Sequence, residues 1–307
     1  MFSIAIHGGA GTLVKGMMTP KKEKAYKTAL KTALEIGYKE LESGGSAVEA
    51  VEKAVKLLEN SHLFNAGKGS VFTANESHEM DASIMDGETL NAGAVSLISG
   101  IKNPVSLARD VMEKSEHVFL AGKGAMEFAK HLNYKLESDA YFYDELRHEQ
   151  WLEIKDTDDF QLDHSLKKDD KFGTVGAVAC DKKGNIAAAT STGGMTNKRY
   201  GRVGDSPMIG SGNYANNKTC AVSCTGSGEY FIRGVVAYDM ACLMEHKEMT
   251  LREAADEVIH KRILELGGDG GLISVDKIGN ISMPFNTEGM YRAFKSSNGK
   301  EEVSIYK

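Results

Sequence analysis

An abrupt change of composition at residue 172 constrains this chain more than any other feature. Between positions 144 and 171, 15 of 28 residues are Asp, Glu, Lys or Arg, with Trp151 and Phe160 the isolated aromatic residues among them. A stretch of that kind cannot bury a core of its own and is expected to run exposed, as a mobile connector. It gives way at once to Phe172-Gly173-Thr174-Val175-Gly176-Ala177-Val178-Ala179-Cys180, small and β-branched residues that read as a strand. The turn Asp181-Lys182-Lys183-Gly184-Asn185 then leads back into a second strand over 186–190. The pattern recurs near the C-terminus, where strands over 272–275 and 281–283 flank Asp276-Lys277-Ile278-Gly279-Asn280. Two hairpins therefore share one turn formula.

Elsewhere the apolar residues follow helical spacing. Thr19 and Pro20 supply a cap and a first-turn proline for a helix whose apolar side is expected along Ala25, Ala29, Ala33, Ile36 and Leu41. Ser43-Gly44-Gly45 ends it. Ser46 with Glu49 forms a capping box for the next helix, which should bury Val48, Val51, Val55 and Leu58. Strands are expected at 81–85 and 92–98 around Asp86-Gly87, and helices over 104–114 and about 122–132. Between the two hairpins lie a helix over 229–246 and another capped by Thr250 with Glu253 and closed by Gly267-Gly268. Long helices and paired hairpins without βαβ alternation predict an α+β fold of antiparallel sheets covered by helices, one layered domain over 1–307.

Composition narrows the partners. The 43 acidic residues exceed the 37 basic ones, so there is no basic excess to track phosphates, and nucleic acid is not an expected partner. No apolar run approaches a membrane span, and the opening residues Phe2-Ser3-Ile4-Ala5-Ile6 have no basic region before them, so a membrane or secretory role is not expected. Cys180, Cys220, Cys224 and Cys242 make no CxxC pair and read as free thiols, which suits a cytoplasmic protein. The histidines show no H-E-x-x-H pair or other metal spacing. His7-Gly8-Gly9-Ala10-Gly11 follows a strand but lacks the dinucleotide order, and there is no P-loop. His7 is open to a structural or a catalytic role.

Hydroxyl groups carry the chemistry better. Thr174 is either an ordinary strand threonine or, if the Gly173–Thr174 bond is cut, a nucleophile whose own α-amine has an intrinsic pKa near 8 and can take the hydroxyl proton. Thr192 ends the paired strand. Thr225-Gly226-Ser227-Gly228 stands between a strand and a helix, an ordinary entry turn or a set of N–H and hydroxyl donors for an oxyanion. Arg202 and Asp205 either pair on the surface or present opposite charges to a zwitterion.

In order along the chain, these strings resemble the plant-type asparaginases, also called isoaspartyl or β-aspartyl peptidases, of the N-terminal-nucleophile hydrolases. The resemblance runs through His7-Gly8-Gly9-Ala10-Gly11, Phe64-Asn65-Ala66-Gly67-Lys68-Gly69, residues 80–87, Gly173-Thr174-Val175-Gly176, and Ser191-Thr192-Gly193-Gly194-Met195. It continues through Gly201-Arg202-Val203-Gly204-Asp205-Ser206-Pro207, Thr225-Gly226-Ser227-Gly228-Glu229, Gly267-Gly268-Asp269-Gly270-Gly271 and residues 284–292. It implies a four-layer αββα sandwich, made as a precursor that cuts itself between Gly173 and Thr174. An α fragment, 1–173 with a mobile linker at about 134–173, would stay with a β fragment, 174–307, and two such protomers would form an (αβ)2 heterotetramer.

The resemblance further implies β-aspartyl dipeptides and L-asparagine as substrates, with Thr174 attacking the side-chain carbonyl. Thr192 would tune the nucleophile, Asn65 support its amine, and Thr225 with Gly226 hold the oxyanion. Arg202 would bind the substrate carboxylate, and Asp205 with the Gly228 carbonyl its ammonium. The 58–69 segment resembles a sodium-binding loop of backbone carbonyls, a structural ion with no catalytic cofactor. The Gly-Thr junction favours the isoaspartyl peptidase branch. A glycosylasparaginase-like amidohydrolase and a catalytically silent scaffold that binds aspartyl compounds are the alternatives.

Overall fold

The computed structural model describes residues 1–157 and 173–307. Its strands are β1 (Ser3–Gly11), β2 (Met80–Asp86), β3 (Ala92–Ile98), β4 (Phe119–Ala121), β5 (Val175–Cys180), β6 (Ile186–Thr192), β7 (Asn213–Ala215), β8 (Cys220–Gly226), β9 (Gly270–Asp276), β10 (Ile281–Ser282), β11 (Gly289–Ser296) and β12 (Glu301–Tyr306). They form one eight-stranded sheet, β12-β11-β1-β5-β6-β2-β3-β4, and one four-stranded sheet, β10-β9-β8-β7. All pairings are antiparallel except β3 with β4.

The helices are α1 (Pro20–Glu42), α2 (Ala47–Glu59), α3 (Pro104–Lys114), α4 (Gly122–His131), α5 (Asp139–Phe142), α6 (Glu145–Ile154), α7 (Gly228–Gly234), α8 (Val236–Lys247), α9 (Leu251–Glu257) and α10 (Ile263–Glu265). Among the described residues none is long and apolar enough to cross a membrane.

Strand alternation sorts the side chains into layers. Ile4, Ile6, Val175, Ala177, Ala179, Ala187 and Ala189 of the large sheet join α1, α2 and α3 in one core. Cys220, Val222, Cys224 and Leu272 of the small sheet join α8 and α9 in a second. The intervening positions, among them Ala5, Val178, Cys180, Ile186, Ala188, Ala221, Ile273 and Val275, form a third core between the two sheets. The result is the expected αββα sandwich. The cysteines are free, and burial pushes the Cys180 and Cys220 thiols up to about 12.

Three expectations need correction. Helix α1 is rotated: Tyr26, Leu30, Ala33, Leu34, Gly37 and Leu41 face the core, while Ala25 and Ile36 are exposed and Ala29 is half-buried. The Tyr26 ring stacks on Tyr291 at 4.4 Å and its hydroxyl donates to the Leu63 carbonyl. Burying that large aromatic outweighs burying the alanines.

The single helix over 229–246 is two helices, broken at Val235 with φ +46°. There the Ala237 and Tyr238 N–H groups donate to the Ser211 and Gly210 carbonyls instead of to an earlier helical turn. The third correction concerns the connector. Its first half carries α5 and α6, with Phe142, Arg147, Trp151 and Ile154 buried. Trp151 stacks with His148 and packs beside Phe72, and Phe142 meets His78. The apolar partners come from the 70–78 segment, too distant in sequence to be read locally. Residues 158–172 of the expected connector lie outside the described residues.

Candidate active site

Position 174 lies at the head of β5, in the middle of the large sheet. Because Val175 pairs with Ser191, Thr174 stands level with Thr192 of β6. On the other side β1 pairs with β5 up to His7–Gly176, and its pairing with β11 then slips between His7 and Ala10. This bulge pushes Gly9, at φ +110°, towards the chain before Thr174: a Cβ on Gly9 would stand 2.5 Å from the Gly173 nitrogen. Gly173 in turn faces Thr225, whose Oγ1 would lie 2.9 Å from a Cβ at that position. The scissile-bond candidate is therefore wedged between a glycine bulge and the Thr225 hydroxyl, which accepts from the Ala10 N–H at 3.4 Å.

Thr174 is buried, and its Oγ1 lies 3.2 Å from the Ser206 hydroxyl. Thr192 accepts from the Gly194 N–H at 3.0 Å, and Asn65 donates to the Gly194 carbonyl at 2.7 Å. The Asn65 Oδ1 accepts from the Val71 N–H at 3.1 Å, which fixes its amide orientation. The turn at Gly193-Gly194 thus joins two of the expected site residues. Gly226 begins the next expected group, and the following Ser227 is tied to Asp269 by both its backbone N–H and its hydroxyl.

Arg202 and Asp205 do not form the surface pair weighed above. Arg202 donates from Nε to Glu229 at 2.8 Å. Burial alone would raise the Glu229 carboxyl, but this bond and the guanidinium charge carry it below its ordinary range. Asp205 is buried, with no hydrogen-bond partner for Oδ2 among the described residues. Burial pushes its carboxyl up to about 7, against the pull of Arg202. Both head groups converge above Gly228: a Cβ there would lie 2.9 Å from Asp205 Oδ1 and 3.0 Å from an Arg202 Nη. A side chain at 228 would fill the cradle, and its absence leaves a space with one cation and one carboxylate facing it.

Beneath these groups runs a buried polar chain that sequence reading did not assemble. His7 Nε2 lies 2.9 Å from Ser223 Oγ, which lies 2.7 Å from Thr190 Oγ1. Asn213 donates to Thr190 at 3.1 Å and to the Ser83 carbonyl at 3.4 Å, and the Ser83 hydroxyl donates to the Ser206 carbonyl at 2.6 Å. The chain ends at Ser206, beside the Thr174 hydroxyl. Burial lowers the His7 imidazole to about 3, against an opposing interaction with the Thr174 backbone, so His7 is neutral and holds position. The only local signal for these residues was polar side chains at inward positions of otherwise apolar strands.

Asp81 and Lys198 were also missed. Both are buried, Asp81 opposite Thr192 in the β2–β6 pairing and Lys198 four residues beyond the Gly194 turn. In the 58–69 segment, the carbonyl oxygens of Phe64 and His62 lie where a Cβ on Gly69 would stand, and that of Glu59 where one on Gly67 would. Among the described residues no three His, Cys, Asp or Glu side chains gather as metal ligands.

Comparison with known proteins places the chain among relatives along its whole length. The family model described as Asparaginase matches residues 1–305. The chain is 52% identical to an isoaspartyl peptidase of Escherichia coli (strain K12), over 99% of this chain and 96% of that protein. It is 42% identical to a plant-type L-asparaginase of Pyrococcus horikoshii, over 98% of both chains, and 39% identical to a probable isoaspartyl peptidase/L-asparaginase of Arabidopsis thaliana, over 99% of both.

Proposed function

Since the chain belongs to the plant-type asparaginase and isoaspartyl peptidase family of N-terminal-nucleophile hydrolases, we propose that it hydrolyses β-aspartyl dipeptides and L-asparagine with Thr174 as nucleophile. The observation that carries this reading is the placing of Thr174 between Thr192, Ser206 and the Gly9 bulge, with Gly173 pressed against Thr225.

Maturation comes first. The Thr174 hydroxyl oxygen adds to the Gly173 carbonyl carbon, and the C–N bond breaks as the nitrogen takes up the proton. Water then hydrolyses the resulting ester, leaving a Gly173 carboxylate and a Thr174 with free amine and hydroxyl. The fragments do not separate, because their strands interleave in one sheet: β1 lies between β11 and β5, and β6 pairs with β2.

In turnover the α-amine takes the hydroxyl proton, directly or through a water, while the oxygen attacks the substrate's side-chain carbonyl. Asn65 supports the amine and Thr192 orients the hydroxyl. The Thr225 hydroxyl and Gly226 N–H stabilise the oxyanion as the tetrahedral intermediate forms. The leaving ammonia or amino acid takes the proton from the amine, and water hydrolyses the β-aspartyl ester. Arg202 holds the substrate α-carboxylate, and Asp205 with the Gly228 carbonyl holds its α-ammonium, which suits the two-charge cradle above Gly228.

A structural sodium ion would be held by backbone carbonyls of the 58–69 loop, as the family resemblance implies, since hard cations take oxygen ligands. Two protomers form the (αβ)2 assembly. Free, mostly buried thiols suit a reducing cytoplasm.

Intact mass under denaturing conditions tests the reading. Wild type should give fragments of 173 and 134 residues and turn over β-aspartyl dipeptides. Thr174→Ala should give one uncut, inactive chain. A variant that still cuts itself and still hydrolyses the dipeptide would refute the nucleophile.

A further inference from the structure

The Gly193-Gly194 turn is the joint of the site, because its N–H holds the Thr192 hydroxyl and its carbonyl holds the Asn65 amide. Lys198 lies directly beneath it. A Cβ on Gly194, which has φ +80°, would stand 3.0 Å from both Cδ and Nζ of Lys198. The lysine is 3% exposed, and its ammonium donates to the Glu79 carbonyl at 2.7 Å. Its backbone N–H returns to the Met195 carbonyl, and its own carbonyl accepts from Ala74.

Asp81 faces the same joint from the next strand. It is fully buried and pairs with Thr192 across the β2–β6 ladder. Its Oδ1 accepts from the Leu97 N–H at 3.0 Å, steadying a residue at φ +56° inside β3. Its Oδ2 has no hydrogen-bond partner among the described residues. Each charge is the other's strongest ionic influence: burial lowers Lys198 and raises Asp81, and each opposes the shift in the other. The two head groups make no direct ion pair, so they act on one another across the buried joint rather than by contact.

We propose that Lys198, with Asp81 as its charge partner, is a positioning residue for catalysis: its side chain props the Gly194 turn, and the turn sets both the Thr192 hydroxyl and the Asn65 amide on Thr174. This rests on the assignment of Thr174 as nucleophile. A merely structural pair would matter only for stability, because two opposite buried charges removed together leave no orphan.

Three variants separate the roles: Lys198→Arg, which keeps the charge but puts a rigid planar fork under Gly194, Lys198→Met, and the double variant Lys198→Met with Asp81→Asn. Self-cleavage rate, kcat and KM for a β-aspartyl dipeptide, and Tm are measured for each beside wild type. Positioning requires Lys198→Arg and the double variant to lose at least tenfold in kcat and in cleavage rate, with KM within about twofold, although the double variant regains the Tm lost in Lys198→Met. Recovery of kcat to within threefold of wild type in either folded variant overturns the proposal. If Lys198→Met or the double variant fails to fold, Lys198→Arg decides by the same limits. Wild-type turnover and Thr174→Ala, run alongside, show whether a failure belongs to the nucleophile assignment instead.

Discussion

Replacing Glu59 by glutamine should alter the pH dependence of stability more than stability itself. Glu59 ends α2 and is fully buried. Its Oε1 accepts from the Val105 N–H at 2.9 Å and its Oε2 from the Asn103 amide at 3.1 Å. Asn103 makes no side-chain cap for α3, so a carboxylate from another helix does that work. The α3 N-terminus favours a negative charge there, yet burial wins and pushes the carboxyl from 4.5 up to about 7. Between those values the folded chain binds more protons than the unfolded one, so stability falls as pH rises through the window.

A shift from 4.5 to about 7 corresponds to roughly 3 kcal/mol lost between pH 4.5 and pH 8. Glutamine cannot ionise and should remove that slope. The assay is urea unfolding of Glu59→Gln against its parent across this range, both in a Thr174→Ala background so that a single chain unfolds. Sodium-free buffer is needed, since a cation bound at the 58–69 carbonyls would favour the carboxylate. Relative to its parent, Glu59→Gln should gain about 3 kcal/mol on going from pH 4.5 to pH 8. Profiles that stay parallel to within about 0.5 kcal/mol would refute the burial argument.

Two further outcomes follow from the site. Asp205, pushed up to about 7 by burial, must be ionised to hold an ammonium. Wild-type kcat/KM for a β-aspartyl dipeptide should therefore fall more than tenfold per pH unit below 7, because the Thr174 amine loses its base form over the same range. Asp205→Asn should lose most activity and keep only the amine's shallower limb, about tenfold per unit, and a wild-type limb no steeper than the variant's would contradict the role. Gly176→Ala would drive a Cβ into Ser223 Oγ and His7 Nε2 and to within 3.0 Å of the Ala189 carbonyl. Overpacking plus the lost buried hydrogen bond should cost about 2–5 kcal/mol, read as a large drop in Tm, and an unchanged Tm would show that the inter-sheet chain is slack.

Much of this protein is written in short-range chemistry. The capping boxes at Ser46–Glu49 and Thr250–Glu253 form as the sequence dictates, because the partners are three residues apart and need no tertiary help. The two D-K-x-G-N turns likewise close their hairpins. The ordered strings from His7 to Arg292 identify the family, because glycines at bulges and cradles leave little freedom for substitution. Gly9 and Gly228 are the clearest cases, each facing atoms that a Cβ would displace.

Tertiary structure decided what depends on distant partners. Helix α1 turned to bury Tyr26 because Tyr291, more than 260 residues away, offered a ring to stack on. Trp151, isolated in a charged stretch, found Phe72 and His148. Polar residues on β1, β2, β6 and β8 became one chain only when two sheets closed over them, and buried polar groups must then satisfy one another. Lys198 and Asp81 belong to the same class. Sequence alone specified the turns, the caps and the residue types of the site, since those obey local sterics. Where the buried charges would lie, and which of them would meet, waited on the packing of the layers, because desolvation is a property of the folded whole.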